Sequence, residues 1–203
     1  MDGPRESKAP AGRGTAVVDA RDFYDELGAS YDTMVSWAGR LEREEKFFRS
    51  LFDQHRVRRV LDAACGTGMH AIAFARQGRG AAGADISPVM IAKAQEHARQ
   101  AGVEVQWKVA GFGELASRFD PPFDAVTCLG NSLPHLPDDA ALEAALLDFA
   151  RLLRPGGLLV VQDRNYDKAL AAAGKSVHLN ARDEPDGETL FVRMSEPRGG
   201  EVV

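Results

Sequence analysis

Apolar residues follow two different spacings along the middle of this chain, and their order predicts strands separated by helices. The short stretches rich in apolar residues, which predict strands, lie at 60–63, 81–85, 103–109, 123–129 and 158–162, and the run at 123–129 is suited to burial in a parallel sheet. The stretches with an apolar residue every three or four positions, which are typical of amphipathic helices, lie at 40–54, 71–76, 88–100 and 139–153. Strands separated by helices of this length imply right-handed parallel crossovers, so the pattern predicts an α/β fold with a mostly parallel sheet.

Capping residues mark the ends of two of the predicted helices. Ser87-Pro88 supplies an N-cap and a first-turn proline for one helix, and Gly102 ends that helix. Either Asp138 or Asp139 caps the next one. These local signals agree with the apolar spacing.

Length, charge and cysteine content narrow the class of protein. The chain has 203 residues, which is enough for one domain with a substantial core. Its formal net charge of −5 gives no general attraction to phosphate backbones or anionic membrane surfaces, so we expect no nucleic acid and no membrane as partner. The first fourteen residues contain neither a signal peptide nor an apolar span, which favours a cytoplasmic location. Two cysteines are too few for a disulfide framework, and no metal site is predicted.

A glycine-rich turn follows the first predicted strand, in the sequence Val-Leu-Asp-Ala-Ala-Cys-Gly-Thr-Gly-Met over residues 60–69. Gly66 and Gly68 permit positive φ angles and the close approach of a ligand to the backbone, and the next helix presents unpaired N–H groups. Gly66-x-Gly68-x-x-Ala71 also satisfies the loose dinucleotide fingerprint. Asp62 discriminates between ligands, because a carboxylate at the strand end repels a pyrophosphate but suits a ligand with an ammonium and a sulfonium.

The same turn resembles a known signature. Asp62-Ala-Ala-Cys-Gly-Thr-Gly, followed by Asp85 after the next strand, is similar to the S-adenosylmethionine (SAM)-binding signature of class I methyltransferases. The resemblance implies a Rossmann-like class I methyltransferase sheet with SAM as cofactor, and Asp85 at the place where an acidic group accepts hydrogen bonds from ribose hydroxyls. The implied cofactor-binding residues of this region are Asp62, Ala63, Gly66, Gly68, Asp85, Met90, Phe112 and Leu129.

Two of these residues have an alternative interpretation. Met90 lies one turn into its helix, where it either contacts the adenine or packs in the core. Phe112 either covers the other adenine face or is an ordinary loop hydrophobe. The sequence leaves both alternatives open.

Two later motifs resemble a narrower family. Leu129-Gly-Asn-Ser-Leu-Pro-His-Leu-Pro-Asp138 and Asp163-Arg-Asn-Tyr-Asp167 are similar to segments of the glycine and sarcosine N-methyltransferases, whose pattern is close to L-G-N-S-F-x-H-L-x-D and R-N-Y-D. Trp37-x-x-Arg40 resembles the entrance region of that family, which implies that both residues bind the cofactor. The resemblance extends over residues 31–170.

The narrower resemblance assigns roles to residues after strands four and five. Asn131 and Arg164 match family positions that hold the amino-acid substrate, and Arg164 is expected to bind its carboxylate with a bidentate fork. The alternative for Arg164 is a salt bridge to Asp163 or Asp167.

His135 and Tyr31 complete the candidate catalytic set. His135 is either a general base or a structural hydrogen-bonding residue in the Pro134-His135 turn, and the structural role is favoured. Tyr31, together with Tyr24 and Trp37, is expected to close the site and exclude water.

Two local features depart from the expected pattern. The family usually carries an acidic or amide residue before the aromatic at 112, and this chain has Gly111 there, so the hydrogen bond to the adenine amino group is in question. Asp120-Pro-Pro-Phe123 spells the motif of amino-methylating nucleic-acid enzymes, but it precedes strand four, whereas such a motif must follow that strand. We interpret it as a turn that leads into the sheet.

The chain divides into four predicted regions. Residues 1–18 form a disordered lead, 19–56 an N-terminal helical lid region, 57–170 the SAM-binding α/β domain, and 171–203 the start of a substrate-region β-hairpin around Asp186-Gly187. Five strands plus a hairpin are fewer than the seven strands of the class I sheet. We therefore expect a C-terminally truncated chain, because strand five would otherwise be an uncovered apolar edge.

The sequence thus predicts a SAM-dependent methyltransferase, an N-methyltransferase, that acts on the amine of a small metabolite, glycine or sarcosine. The alternatives are an O- or C-methyltransferase of another small molecule and a truncated, non-catalytic SAM-binding subunit. The expected partner is a small-molecule amine substrate, and a homo-oligomer is compatible with the sequence.

Overall fold

A computed structural model describes residues 20–28, 31–35, 37–171, 176–184, 187–195, 197–198 and 201–202. The predicted lead at 1–18 lies outside the described residues. The described chain forms a five-stranded sheet from β1 Arg59–Ala63, β2 Gly80–Asp85, β3 Val105–Val109, β4 Phe123–Cys128 and β5 Leu153–Val161. The strand order is β3-β2-β1-β4-β5, and all four pairings are parallel. The predicted α/β fold with a parallel sheet is therefore confirmed.

Helices flank this sheet, and an antiparallel hairpin follows it. The helices are α1 Ala20–Leu27, α2 Tyr31–Met34, α3 Trp37–Gln54, α4 Met69–Arg76, α5 Pro88–Ala101, α6 Asp139–Leu152 and α7 Tyr166–Ala171, with 3₁₀ turns at Leu115–Ser117 and Leu133–His135. The hairpin strands are β6 Ser176–Glu184 and β7 Gly187–Ser195, and the short pair β8 Pro197–Arg198 and β9 Glu201–Val202 comes last. No helix in the described part of the chain has the length and apolar content to cross a membrane.

The core lies on both faces of the sheet, because successive side chains of a strand point to opposite sides. Val60 joins a cluster with Phe52 and Phe74, which come from α3 and α4. The next residue, Leu61, joins a cluster with Phe149 from α6 on the other face. All five side chains are at most 1% exposed. The two clusters fix the sheet between its helices and leave its carboxyl edge for a site.

The capping residues behave as predicted. The Ser87 hydroxyl accepts a hydrogen bond from the backbone N–H of Met90 at 3.1 Å, and Gly102 ends α5 with a left-handed φ of 65°. The Asp138 carboxylate accepts from the backbone N–H of Ala141 at 2.8 Å, so Asp138 is the cap of α6. These three caps and stops could be predicted from local sequence because their hydrogen-bond partners are only a few residues away.

Some element ends differ from the prediction. Strand β5 begins at Leu153, whereas the apolar run predicted a start at 158. Leu153 pairs with Phe123 of β4, and the Arg154 Nε donates to Asp124 Oδ1 at 2.7 Å, so long-range contacts draw the Pro-Gly-Gly segment into the sheet. Helix α3 begins at Trp37 and strand β3 at Val105, where 40 and 103 were expected. Helix α7 was not predicted.

Candidate active site

A cavity of about 1110 Å³ opens at the carboxyl edge of the sheet. Its walls come from α1 and α2, the turn after β1, the end of β2, the loop after β3 and the turn after β4. Such an edge is where ligands bind in open α/β sheets. The predicted site residues that line it are Tyr31, Gly66, Asp85, Phe112, Leu129 and His135.

The turn after β1 is held in a left-handed backbone conformation. Ala64, Gly66 and Gly68 have φ angles of 58°, 54° and 81°. Gly66 faces the ring of Tyr31, 3.6 Å from the position of an added Cβ, and lines the cavity. Gly68 instead faces away from it, since a Cβ there would lie 2.5 Å from Cη2 of Trp107. Its assignment as a ligand contact therefore stays a prediction, and Ala64 is a lining residue that the sequence did not identify.

Asp85 connects the glycine turn to the end of β2. Its Oδ2 accepts from the backbone N–H of Gly66 at 2.8 Å, and its Oδ1 accepts from the backbone N–H of Ser87 at 3.0 Å. Burial raises the pKa of Asp85, and these two backbone hydrogen bonds oppose that rise. Each carboxylate oxygen retains a lone pair, so Asp85 can also accept hydrogen bonds from ribose hydroxyls in the cavity.

Asp62 is a buried carboxylate beneath the site. Its Oδ1 accepts from the Thr127 hydroxyl at 2.8 Å, while its Oδ2 has no partner among the described residues. Only 1% of Asp62 is exposed, and this burial raises its pKa to about 6. Ala63, the next residue, is fully buried. Both lie under the cavity lining, so their contact with a cofactor stays a prediction.

The residues expected beside the adenine occupy different environments. Phe112 lines the cavity, and its ring meets that of Phe149 edge-on with 5.7 Å between centroids. Leu129 also lines the cavity and is 6% exposed. Met90 is fully buried in α5, which supports the packing alternative for this residue. Gly111 lies in the lining without a side chain that accepts hydrogen bonds.

Aromatic residues from the N-terminal helices cover the cavity. The rings of Tyr24 and Tyr31 are 6.4 Å apart, and the Tyr24 hydroxyl lies 3.3 Å from Nε2 of His135. This hydrogen bond joins α1 to the turn after β4, which supports a structural role for His135. Burial raises the pKa of Tyr31 to about 12, so its hydroxyl remains neutral.

Trp37 and Arg40 lie at the start of α3, outside the cavity lining. The Trp37 Nε1 donates to Asp32 Oδ1 at 2.9 Å, and the Thr67 hydroxyl donates to the same oxygen at 2.6 Å. This shared carboxylate ties α2 and α3 to the glycine turn. The Arg40 guanidinium lies 5.4 Å from the centroid of the Trp37 ring and 3.6 Å from where a Cβ on Gly130 would be.

The turns after β4 and β5 meet at Asn131. Its Oδ1 accepts from the backbone N–H of Arg164 at 3.0 Å, and the Tyr166 hydroxyl lies 2.8 Å from its Nδ2 and 3.0 Å from its Oδ1. Asn131 has a φ of 74°, and its neighbours Gly130 and Ser132 line the cavity. The two motifs are thus joined beside the cavity, although neither Asn131 nor Arg164 is part of its wall.

Several residues of the site were missed by sequence reasoning. Tyr166 stands within the Arg-Asn-Tyr-Asp motif, so the motif carried the signal although the role of this residue did not emerge from it. Glu44, which pairs with Arg40, also contacts His70 and Gln162, and these three residues come from parts of the chain that are far apart in sequence. No local pattern could have grouped them.

Comparisons with known proteins identify the family of this chain. A family model described as a methyltransferase domain matches residues 60–157. A glycine/sarcosine N-methyltransferase of Parasynechococcus marenigrum (strain WH8102) is 35% identical over 192 residues, which is 89% of this chain and 68% of that protein. The corresponding protein of Aphanothece halophytica is 33% identical over 171 residues, 81% of this chain and 64% of that protein. The chain therefore spans about two thirds of the length of these curated relatives.

Solved structures share the fold. DesVI of Streptomyces venezuelae superposes with a TM-score of 0.66 at 24% identity, covering 92% of this chain and 74% of that one. SAM-bound CalS10 of Micromonospora echinaspora, an amino pentose methyltransferase, has a TM-score of 0.57 at 21% identity, covering 90% of this chain and 83% of that one.

Proposed function

The chain belongs to the class I SAM-dependent methyltransferases, and we propose that it transfers a methyl group from SAM to the amine of a small amino acid, glycine or sarcosine. The glycine/sarcosine N-methyltransferases that are 33–35% identical to it support this choice of acceptor. So do the two motifs after β4 and β5, because the structure brings Asn131 and Arg164 of these motifs together.

The described residues fit SAM. A cavity of about 1110 Å³ exceeds the usual pocket range of about 300–1,000 Å³, which leaves room for a nucleoside cofactor and a small acceptor. Asp85 offers carboxylate lone pairs at the end of β2, and Phe112 offers an apolar face. The unpartnered Oδ2 of Asp62 puts a buried acid beneath the glycine turn, which suits a cationic ligand better than a pyrophosphate.

In the proposed reaction, the protein binds the cofactor and the methyl acceptor and orients them relative to each other. When bound, SAM supplies a methyl group on a sulfonium, which a neutral amine attacks in line. Asp85 and Phe112 hold the nucleoside, Arg40 binds the cofactor carboxylate, and the methyl acceptor lies beside Asn131. Positioning of this kind accounts for about 7–11 kcal/mol of barrier lowering in favourable cases, so the site needs no strong base.

The acceptor end of the site is built on one hydrogen bond. The Asn131 Oδ1 accepts from the backbone N–H of Arg164 at 3.0 Å, and this contact carries the proposal for an amino-acid acceptor. It ties the Asn131 side chain to the backbone of Arg164 and so holds the two motifs together beside the cavity. An Arg fork pairs with a carboxylate through two parallel hydrogen bonds, which suits an acceptor that has both an amine and a carboxylate.

Turnover on a panel of small amines, combined with Arg164→Lys, tests the proposal. The Lys variant keeps the charge but loses the fork, so kcat/KM for glycine or sarcosine should fall at least about tenfold while SAM affinity stays nearly constant. Arg151→Lys on the exposed side of α6 is the matched control.

Three results would contradict parts of this proposal. Undiminished kcat/KM in the Arg164→Lys variant would remove the carboxylate clamp. Equal turnover of amines that lack a carboxylate would remove the amino-acid acceptor. Tight SAM binding without methylation of any amine would favour another acceptor or a non-catalytic subunit.

A further inference from the structure

Arg40 occupies a place on α3 that helix stability does not explain. Helix α3 begins at Trp37, so Arg40 lies in its first turn, where the helix dipole disfavours a cation. Arg40 also pairs with Glu44 in the less favourable order, since a carboxylate that precedes its basic partner stabilises a helix better. The position of Arg40 therefore needs another explanation.

Three contacts hold the Arg40 guanidinium. Its Nε donates to both Glu44 oxygens, at 3.2 and 3.3 Å, and its Nη2 donates to Oε1 of Gln162 at 2.7 Å. The remaining nitrogen, Nη1, is the one closer to Gly130, at 3.6 Å from where a Cβ would be. Gly130 lines the cavity, so the held guanidinium stands at the edge of the cofactor site.

Glu44 is the centre of this arrangement. Its Oε2 lies 2.8 Å from Nε2 of His70, and its Oε1 accepts from Nε2 of Gln162 at 3.1 Å. Burial by itself raises the pKa of Glu44, but the hydrogen bonds from His70 and Gln162 and the charge of Arg40 lower it to about 2. The carboxylate is therefore ionised at neutral pH and gives Arg40 a fixed negative partner.

His70 and Gln162 anchor Glu44 to the rigid part of the site. His70 is the second residue of α4, directly after the glycine turn, and is 4% exposed between the rings of Trp37 and Phe74. Gln162 follows β5, where its N–H donates to the Cys128 carbonyl at 3.0 Å. Its own carbonyl accepts from the backbone N–H of Asn131 at 3.0 Å. Both ends of the network are thus fixed to the two turns of the site.

We propose that Glu44, His70 and Gln162 are positioning residues that hold the Arg40 guanidinium at the cavity edge, where it binds the carboxylate of SAM. The inference rests on the proposed role of Arg40 and on SAM as cofactor, and it does not depend on the identity of the methyl acceptor. A network that merely fastened α3 to the sheet would instead affect all ligands of the cavity alike.

The ratio of two affinities separates these roles. SAM and decarboxylated SAM differ in the carboxylate alone, so calorimetric titration with both measures what Arg40 contributes. Glu44→Gln and Gln162→Leu should each weaken SAM binding about tenfold, and Arg40→Met somewhat more, with the affinity for decarboxylated SAM nearly unchanged in all three. Gln162 is exposed, so its variant is expected to fold even if changes at Glu44 disturb α3.

A double-variant cycle and two controls complete the test. If Glu44 and Gln162 act through Arg40, their substitutions should cause no further loss of SAM affinity in an Arg40→Met background. Glu45→Gln and Gln100→Leu are matched controls, because Glu45 pairs with Arg49 and Gln100 with Glu96 on exposed helix faces. Neither should change the affinity ratio.

Two outcomes would overturn the inference. Equal weakening of SAM and decarboxylated SAM would assign the network a structural role, and so would losses that persist in the Arg40→Met background. Because binding is measured without an acceptor, a failure to methylate glycine or sarcosine would leave these results unchanged.

Discussion

The two turns that form the floor and side of the cavity are stabilised in different ways. The turn after β1 donates hydrogen bonds from Gly66 and Thr67 to two carboxylates, and it is fixed in addition by packing, since Gly68 lies against Trp107 and Ala94. The turn after β4 is fixed by hydrogen bonds, because Asn131 is bonded to the Arg164 backbone and the Tyr166 hydroxyl. Both turns contain residues with positive φ angles. In the first turn these residues are alanine and glycine, whereas the second turn also includes Asn131.

This difference separates the two halves of the site. Close packing leaves the cofactor half little freedom, because interiors tolerate almost no added volume. The proposed acceptor half depends on side chains at the ends of β4 and β5, which can change without disturbing the core. Such a division predicts that related methyltransferases share the cofactor and differ in the acceptor.

The largest expected effect is that of Gly68→Ala. A Cβ there would lie 2.5 Å from the Trp107 ring and 2.7 Å from the Ala94 Cβ, at a φ of 81°. Strain and overpacking together should lower the free energy of unfolding by about 3 kcal/mol, measured by urea denaturation. Gly78→Ala is the matched control, because Gly78 has the same φ and nothing within 4 Å, so its loss should be about 1 kcal/mol. Equal losses would show that packing does not distinguish this turn.

The second prediction concerns the acid beneath the cofactor half. Burial raises the pKa of Asp62 from 3.8 to about 6, so the folded protein binds the proton more tightly than the unfolded chain. Its contribution to stability is therefore present below about pH 4 and is lost as the pH rises through about 6. Asp62→Asn removes this loss, and the stability difference between variant and wild type should grow by about 2 kcal/mol between pH 4 and 7.

Chemical denaturation at several pH values measures this difference. Asp120→Asn, at an exposed position, serves as the control and should give a difference that does not grow in the same way. A flat difference for Asp62→Asn would mean that the carboxylate is solvated or paired in the folded protein.

The smallest expected effect is in the acceptor half. Tyr166→Phe removes the hydroxyl that lies 2.8 Å from Nδ2 of Asn131 and 3.0 Å from its Oδ1. Loss of these contacts should cost about 1 kcal/mol, seen as a severalfold lower kcat/KM for the acceptor. SAM affinity, measured by calorimetry, should not change. A parallel loss of SAM affinity would contradict the separation of the two halves.

The sequence determined the order and type of most elements. The apolar runs of β1, β2 and β4 and the helical spacing of α5 and α6 are local patterns, and the caps at Ser87 and Asp138 bond to residues three positions away. The glycine turn, Asp85 and the two later motifs identified the methyltransferase family, which the comparisons confirm. These features can be predicted from the sequence because each depends on residues that are close together along the chain.

The tertiary structure decided the features that depend on contacts between residues far apart in the sequence. The early start of β5 follows from the pairing of Leu153 with Phe123 across the sheet. The network around Arg40 likewise joins Glu44 to Gln162, which are 118 residues apart. A hydrogen bond between such residues exists only after the sheet has formed, because loop closure and the packing of α3 on the sheet must first bring their side chains within about 3 Å.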